Sequence, residues 1–428
     1  PNTSTGGLTL PAGTTAQRPG SPDTGESRYN STTGSLEFYD GSAWISTNLI
    51  PTISSISGTI NNAYASNLVF AVTNNTDTVD VIFSEGGTAF HTVAAQAVSS
   101  GAFTIATPSQ VYGQTAGDTI SISINNADGT PSSNAVTKTV IAAPTGGTIS
   151  TLGNYRIHAF TTSSNFVNSA TLSIEYMLVA GGGGGGGSGG GNSGAGGGGA
   201  GGVLTTLGGS ATSLSSGTYG IVVGNGGSGG NAANDVNTAT KGTDTTFNSL
   251  TANGGGQAPN SNNIYNGANR NGGSGSGGTG NPNGVTGYPG TGTAGQGNNG
   301  GNATYTSPNY GAGGGGGKGS AGVSVTVAGA VGANGGSGYD ATTYIGTSLG
   351  ASGLFGGGGG GGTYDSSSFS SGGTGGGGNG GGNGTTAGSN GTANSGAGGG
   401  GTGGKGSGGS AQVGGNGGSG ICVIRYQV

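Results

Sequence analysis

The chain has 428 residues, of which only 5% are charged and 112 are glycine, and its net charge is −5; ordinary globular proteins carry about 25% charged residues and about 7% glycine. Nine basic residues against fourteen acidic ones leave no positive footprint to neutralise phosphates, which excludes a nucleic-acid binder. No apolar run reaches the ~18 residues of a membrane-spanning helix, so no membrane insertion is expected, and a single cysteine excludes an intrachain disulfide.

Residues 1–50 hold the only tryptophan, Trp44. Leu36, Glu37, Phe38 and Tyr39, then Asp40-Gly41, then Ala43, Trp44 and Ile45 predict a hairpin with a tight Asp-Gly turn. Residues 30–34 predict a preceding turn. The stretch 10–22 reads Leu-Pro-Ala-Gly-Thr-Thr-Ala-Gln-Arg-Pro-Gly-Ser-Pro and is followed by Gly25, by Arg28-Tyr29-Asn30, by residues 37–41 and by Trp44. This order of residues resembles a short module of bacteriophage tail-fibre and other virion proteins. The resemblance implies a β-rich connector, often a homotrimer, and no chemistry.

Residues 51–144 alternate with a period of two at 67–72, 78–83 and 119–124. Further strands are expected at 52–56, 102–105 and 135–141. Turn signals stand between them at Asn74-Asn75, Gly86-Gly87, Ser100-Gly101 and Asp128-Gly129. About seven short strands in this length predict an Ig-like β-sandwich, with Pro144 to Gly147 as a linker.

Residues 145–428 begin with strands at 155–160 and 170–180, the latter running straight into Gly181. They end on a strand at 421–426, and others are expected at 219–223 and 323–327. Between Gly181 and Gly420 about 40% of residues are glycine, with runs at 181–187, 196–199, 313–317, 356–362, 375–378 and 398–401. Glycine costs about 0.5–1 kcal/mol more than alanine to order. Such a segment is therefore either a flexible linker or a fold that only glycine can make. The runs alternate with segments rich in Asn, Thr, Tyr and Phe, unlike monotonous linkers. Collagen is excluded by the lack of a strict triplet and by only 12 prolines. Glycine also offers a sheet nothing to pack. The expectation is a bundle of extended helices with three residues per turn, polyglycine II, in which each N–H and C=O pairs with a neighbouring helix. The strands at about 150–180 and 421–428 form its small β base, so the chain as a whole is expected to be all-β and irregular. This region resembles the glycine-rich domain of the T-even-type distal tail-fibre adhesins. The shared features are glycine runs, short variable segments between them and a strand-rich base. The chain departs from that pattern in carrying its own connector and sandwich, so the attachment partners of those adhesins do not transfer.

His91 and His158 lie in different regions, and each is expected as a surface residue of a strand. With one cysteine and no histidine cluster, no zinc site and no cofactor is expected. Asp235 with Asp244, or Asp340 with Asp365, are the carboxylates that a glycosidase would need close together, but nothing in their spacing pairs them, and no enzymatic activity is expected. What remains is recognition. Tyr265, Tyr288, Tyr305, Tyr310, Tyr339, Tyr344, Phe355, Tyr364 and Phe369 stand between the glycine runs. Tyrosine gives contact area with a polar handle at low entropic cost. These aromatics either form receptor-binding loops, gathered at the end of the bundle away from the strands, or plug the bundle ends or a subunit interface. The resemblances imply a fibre protein on the surface of a phage particle, assembled in the host cytoplasm. Other virion proteins and a host glycan or outer-surface protein would be its partners. The alternative is a structural virion protein such as a head fibre, a decoration protein or a connector subunit.

Overall fold

The computed structural model describes residues 9–32, 35–46, 51–73, 78–126, 131–132, 134–188, 193–231, 238–261, 267–280, 287–304, 307–327, 330–382, 385–404, 410 and 412–428. The protein is mostly β. It divides into two compact units, residues 1–143 together with Val428, and residues 144–427.

The first unit opens with a four-stranded sheet, Ala12–Gly13, Ser27–Asn30, Ser35–Tyr39 and Trp44–Ser46. The expected hairpin is there, with Tyr39 opposite Trp44. Its turn is closed by Asp40 Oδ1, which accepts from the amides of Ser42 and Ala43 at 2.8 and 2.7 Å, and Gly41 takes the positive φ of 104° that the turn requires. The motif of residues 10–44 converges on one carboxylate. Glu37, 1% exposed, accepts from Arg18 at 2.6 Å and from Asn30 at 2.9 Å. Arg28 Nε lies 3.2 Å from it as an ion pair, while the Arg28 guanidinium also donates to the carbonyls of Gln17 and Thr14 and lies 5.9 Å from the Trp44 ring centre. Burial pushes the Glu37 carboxyl up, but the bonds from Arg18 and Asn30 and the two guanidinium charges outweigh it and hold it below the ordinary range.

The rest of this unit is two sheets over one core. A three-stranded sheet runs in the order Ala102–Ala106, Asn67–Thr73, Thr52–Ser57. A five-stranded sheet runs Ile60–Asn61, Val136–Ile141, Thr119–Asn126, Thr78–Glu85, Thr88–Ala97. The alternation seen in the sequence turns Leu68, Phe70 and Val72 of one sheet toward Val79, Val81, Phe83, Ile120, Ile122 and Ile124 of the other. Each such side chain contributes about 1.5–3 kcal/mol when fully buried. Two strands carry no signal in the sequence. Thr88–Ala97 is a sheet edge with no fully buried residue, and Ile60–Asn61 is only two residues long. The turns expected at 74–75 and 128–129, and the second half of that at 30–34, lie outside the described residues.

In the second unit the two ends of the glycine segment are tied together. The C-terminal strand Ile421–Gln427 lies between Tyr155–Phe160 and Leu172–Val179, antiparallel to both, with Val179 opposite Ile421. Thr148–Leu152, Val203–Thr205 and Thr212–Leu214 complete the sheet, and a second sheet is formed by Ser164–Asn168, Gly217–Val222, Thr245–Phe247 and Leu250–Ala252. Cys422 is a fully buried core residue of this base, and burial pushes its thiol far above its usual value.

Most of the glycine runs stack on this base as buried segments outside any strand, while the run at 375–378 opens on a turn in which Gly375 and Gly376 take φ of 96° and 90°. Residues 181–187 show the arrangement. Gly181 and Gly184 donate to Thr243 and Thr240, Gly182 and Gly185 to Gly418 and Gly415, and Gly183 and Gly186 to Gly199 and Gly196, all at 2.9–3.1 Å. Each amide thus points to a different neighbour and the direction returns every third residue. The carbonyls of the same run accept from three further segments, Gly255 and Ala258, Gly227 and Gly230, and Gly399 and Thr402. One run therefore has six neighbours, and its backbone groups are paired although it belongs to no sheet. A Cβ on Gly182, Gly185 or Gly198 would stand 2.0–2.2 Å from a neighbouring carbonyl oxygen, which is why the runs are glycine. Residues 323–327, expected as a strand, are part of this lattice instead. Val325 donates to Asn302 and the Val323 carbonyl accepts from Gly314, and the alternating valines leave Val323 and Val327 exposed.

His158, expected on a strand surface, is instead fully buried in the base, because Tyr155–Phe160 is covered on both faces over its second half. Its Nδ1 lies 2.7 Å from the Gly146 carbonyl and its Nε2 3.1 Å from the Tyr426 hydroxyl. A carbonyl only accepts, so Nδ1 carries the proton and Nε2 accepts from the tyrosine. Burial holds the ring's pKa below 6.5, against the Gly146 bond and with the help of the Arg156 charge. The unfolded chain takes up this proton near pH 6.5 and the folded chain only lower, so stability is lost as pH falls from about 6.5 toward the folded value. Melting temperature measured from pH 7.5 to 5 is expected to fall across this window, and more steeply than in His158→Gln.

Candidate functional loops at the far end of the glycine lattice

Followed away from the base, the runs end in a common layer. Gly194 donates to the Tyr310 carbonyl at 3.0 Å, Gly280 to Gly194, Gly362 to Ala195, Ala195 to Thr402, and Thr402 to Gly186. Segments near 187, 194, 280, 310, 362 and 402 therefore lie at one level, with the connecting loops beyond them. Tyr310 and Tyr364 meet edge to face here, 5.8 Å between ring centres, both half-buried. Tyr364 donates its amide to the Asn309 carbonyl, and Tyr310 holds a positive φ of 39°, uncommon for a residue with a side chain.

Among the described residues, Tyr288 and Phe369 are the open aromatics of this layer, 58% and 59% exposed. The backbone of Tyr288 is held by Arg270, which is 3% exposed and donates to its carbonyl at 2.6 Å; burial pushes that guanidinium down to about 10. Phe369 stands in a serine-rich loop pinned by Ser370, whose hydroxyl bonds the Gly361 carbonyl and whose own carbonyl accepts from Gly380. Arg270 has no signal in the sequence, because a lone charge in a glycine-rich stretch carries no pattern. Tyr265 and Tyr305 lie outside the described residues.

Three of the nine aromatics are at the opposite end. Phe355 is fully buried in the base core with Met177, Val179, Ile421 and Val423, and Tyr339 and Tyr344 pack on the same cluster. The expectation that all nine gather away from the strands is corrected here. The loops between runs turn back at both ends, and the longest described turn at the base, with the paired strands Tyr339–Asp340 and Leu354–Phe355 and the helical turn Thr342–Ile345, is a lid on the base core. The carboxylates are likewise separate in role. Asp340 Oδ1 accepts from Thr342 at the start of that turn, Asp365 follows Tyr364 in the far layer, Asp244 accepts from the Gly254 amide, and Asp235 is outside the described residues. Among the described residues no three His, Cys, Asp or Glu side chains are grouped to hold a metal. A shallow polar groove of about 370 Å³ opens on the lattice side between Lys241, Asp244, Asn253, Asn271, Thr291 and Thr293; residues so scattered give no motif in the sequence.

A lattice of glycine runs on a β base, carrying loops at its far end, defines a glycine-rich domain protein. The chain belongs to the glycine-rich domain family, whose profile matches residues 159–427. A search of curated proteins finds no match to the chain.

Proposed function

We propose that the lattice is a polyglycine II bundle, that residues 51–143 are an Ig-like sandwich, and that the chain is a fibre protein of a bacteriophage particle binding a host surface receptor through its far loops. The observation that carries this reading is the separation of tasks in the second unit. A lattice whose inner run 181–187 has six neighbours is a stiff support, and the exposed Tyr288 and Phe369 lie with the Tyr310–Tyr364 pair at the end away from the base. Open aromatics on a rigid scaffold, with serines on both sides of Phe369 and Asn309 beside Tyr310, suit stacking and hydrogen bonding to a glycan or a protein loop. The resemblance of residues 10–44 to fibre modules supports the particle and a homotrimer. The charges of the glycine segment balance, so attachment rests on short-range contact and changes little with salt between about 0.05 and 0.5 M.

The test is adsorption to host cells of chain in which Tyr288, Tyr310, Tyr364 and Phe369 are replaced by Ser. Binding should fall at least about tenfold, as expected for loss of more than 1.4 kcal/mol of contact, while melting stays near that of the unsubstituted chain. Retained binding by the folded variant would return the chain to a structural role in the particle, as a head fibre, decoration protein or connector.

A further inference from the structure

Inside the lattice every run is walled by other runs, but a run at the rim has amides that face no neighbour. Residues 224–231 form such a rim, reading Gly-Asn-Gly-Gly-Ser-Gly-Gly-Asn. Burial repeats every third residue, with Gly224, Gly227 and Gly230 buried and Asn225, Ser228 and Asn231 exposed. The carbonyls of Asn225 and Ser228 accept from the adjoining run at Thr243 and Thr240. Among the described residues, the amides of Asn225, Ser228 and Asn231 do not reach a backbone carbonyl. They donate to the hydroxyls of Thr243, Thr240 and Thr238 at 2.7, 2.8 and 2.7 Å. The same device recurs elsewhere on this run, where Asn416 Oδ1 takes the Gly229 amide, and on other rims, where Asn299 Oδ1 takes that of Gly292 and Asn334 Oδ1 that of Ser371.

Stability does not explain these bonds. The amides are exposed, water would satisfy them, and an exposed side-chain bond gains little over water. What an open row of amides does offer is a template for another chain, the hazard that edge strands present in sheets. A polyglycine rim is a stronger template than a strand edge, because without Cβ atoms a further run can approach to contact distance. We infer that the rim Asn, Thr and Ser side chains terminate the lattice. They occupy the outward amides, and their Cβ atoms hold off a further run in the way that a Cβ would clash inside. The surface these residues form is one closed to a second copy of this chain. The inference stands apart from the receptor reading.

The test uses the full chain with Thr238, Thr240 and Thr243 all changed to Val, which keeps the side-chain shape and removes the acceptors. Amide exchange at Asn225, Ser228 and Asn231 should rise at least about tenfold. Sedimentation should show concentration-dependent species beyond those of the unsubstituted chain. The Thr→Ser triple should behave as the original, and so should Val at the exposed base-strand residues Thr151, Thr212 and Thr218, which add the same apolar surface without touching a rim. Asn334→Leu, which uncaps the Ser371 amide, provides an independent rim. Faster exchange without new association would overturn the inference, as would equal association of the base-strand control. Failure of both rim variants to fold would make the caps a requirement of folding and overturn it too.

Discussion

A methyl group added at Gly198 is expected to prevent residues 144–427 from folding, or to destabilise them by at least about 3 kcal/mol. Elsewhere Gly→Ala at a compatible site stabilises by about 0.4–1 kcal/mol through the unfolded state, and overpacking an ordinary core costs about 1–3 kcal/mol. At Gly198 the second effect dominates, because the obstacle is not a side chain that can rotate away. The new Cβ would stand 2.2 Å from the Gly183 carbonyl oxygen and 2.9 and 3.0 Å from backbone carbons of Gly183 and Gly184. Those residues are fixed by their own neighbours, so the spacing of several runs must open for one methyl group. Ala195 and Ala200 are fully buried close by in the same segment, so the lattice takes a methyl only at particular positions. Gly267→Ala is the matched control. A Cβ there meets nothing within 4 Å, and its effect should stay within about 0.5 kcal/mol. Calorimetry and limited proteolysis of the two variants decide the matter, and a Gly198→Ala chain that melts like the original would refute the close-packed lattice.

The parts of this fold that could be read in advance are those where burial repeats along the chain. Leu172–Val179 and Ile421–Gln427 show as apolar runs because the base covers both faces, and strands such as Asn67–Thr73 and Thr119–Asn126 show as alternation because their core covers one. Thr88–Ala97 does not show, since an edge strand with no buried residue places no demand on composition. The valines at 323, 325 and 327 imitate a strand because a rim run buries only some of its residues, and a short stretch of period three can be mistaken for period two. The placement of the aromatics failed for a topological reason. Each run reverses direction, so the level of a loop depends on how many runs precede it. Tyr310 and Tyr364 are therefore at the far end while Tyr344 and Phe355, lying between them in sequence, are at the base. Runs interrupted by Asn, Ser and Thr hide that parity, and those same interruptions are the rim positions where a side chain is needed.

Removing the charge of Arg425 is expected to cost the second unit about 3–5 kcal/mol, the usual penalty for leaving a buried ion without its partner. Arg425 and Glu175 face each other across neighbouring strands of the base, with side chains 6% and 9% exposed and 2.8 Å between guanidinium nitrogen and carboxylate oxygen. The guanidinium also donates to the Tyr344 carbonyl at 2.8 Å and lies 4.0 and 5.1 Å from the ring centres of Tyr155 and Tyr344. Glu175 in turn accepts from the Gly208 amide at 2.6 Å. One side chain thus joins the strand that leads into the glycine segment, the lid in its middle and the strand that ends it, and the lid carries Tyr339, Tyr344 and Phe355. Arg425→Met should leave Glu175 buried with only the Gly208 amide, and the lid with one bond fewer. If the charge imbalance is the main cost, Arg425→Met combined with Glu175→Leu should recover at least half of the loss, since a buried pair exchanged for apolar groups is often near neutral. If the guanidinium matters instead as the tether of Tyr344, the double variant should melt no higher than the single one. Calorimetric melts of the two singles and the double separate the alternatives, because only the first gives a large coupling between the two sites.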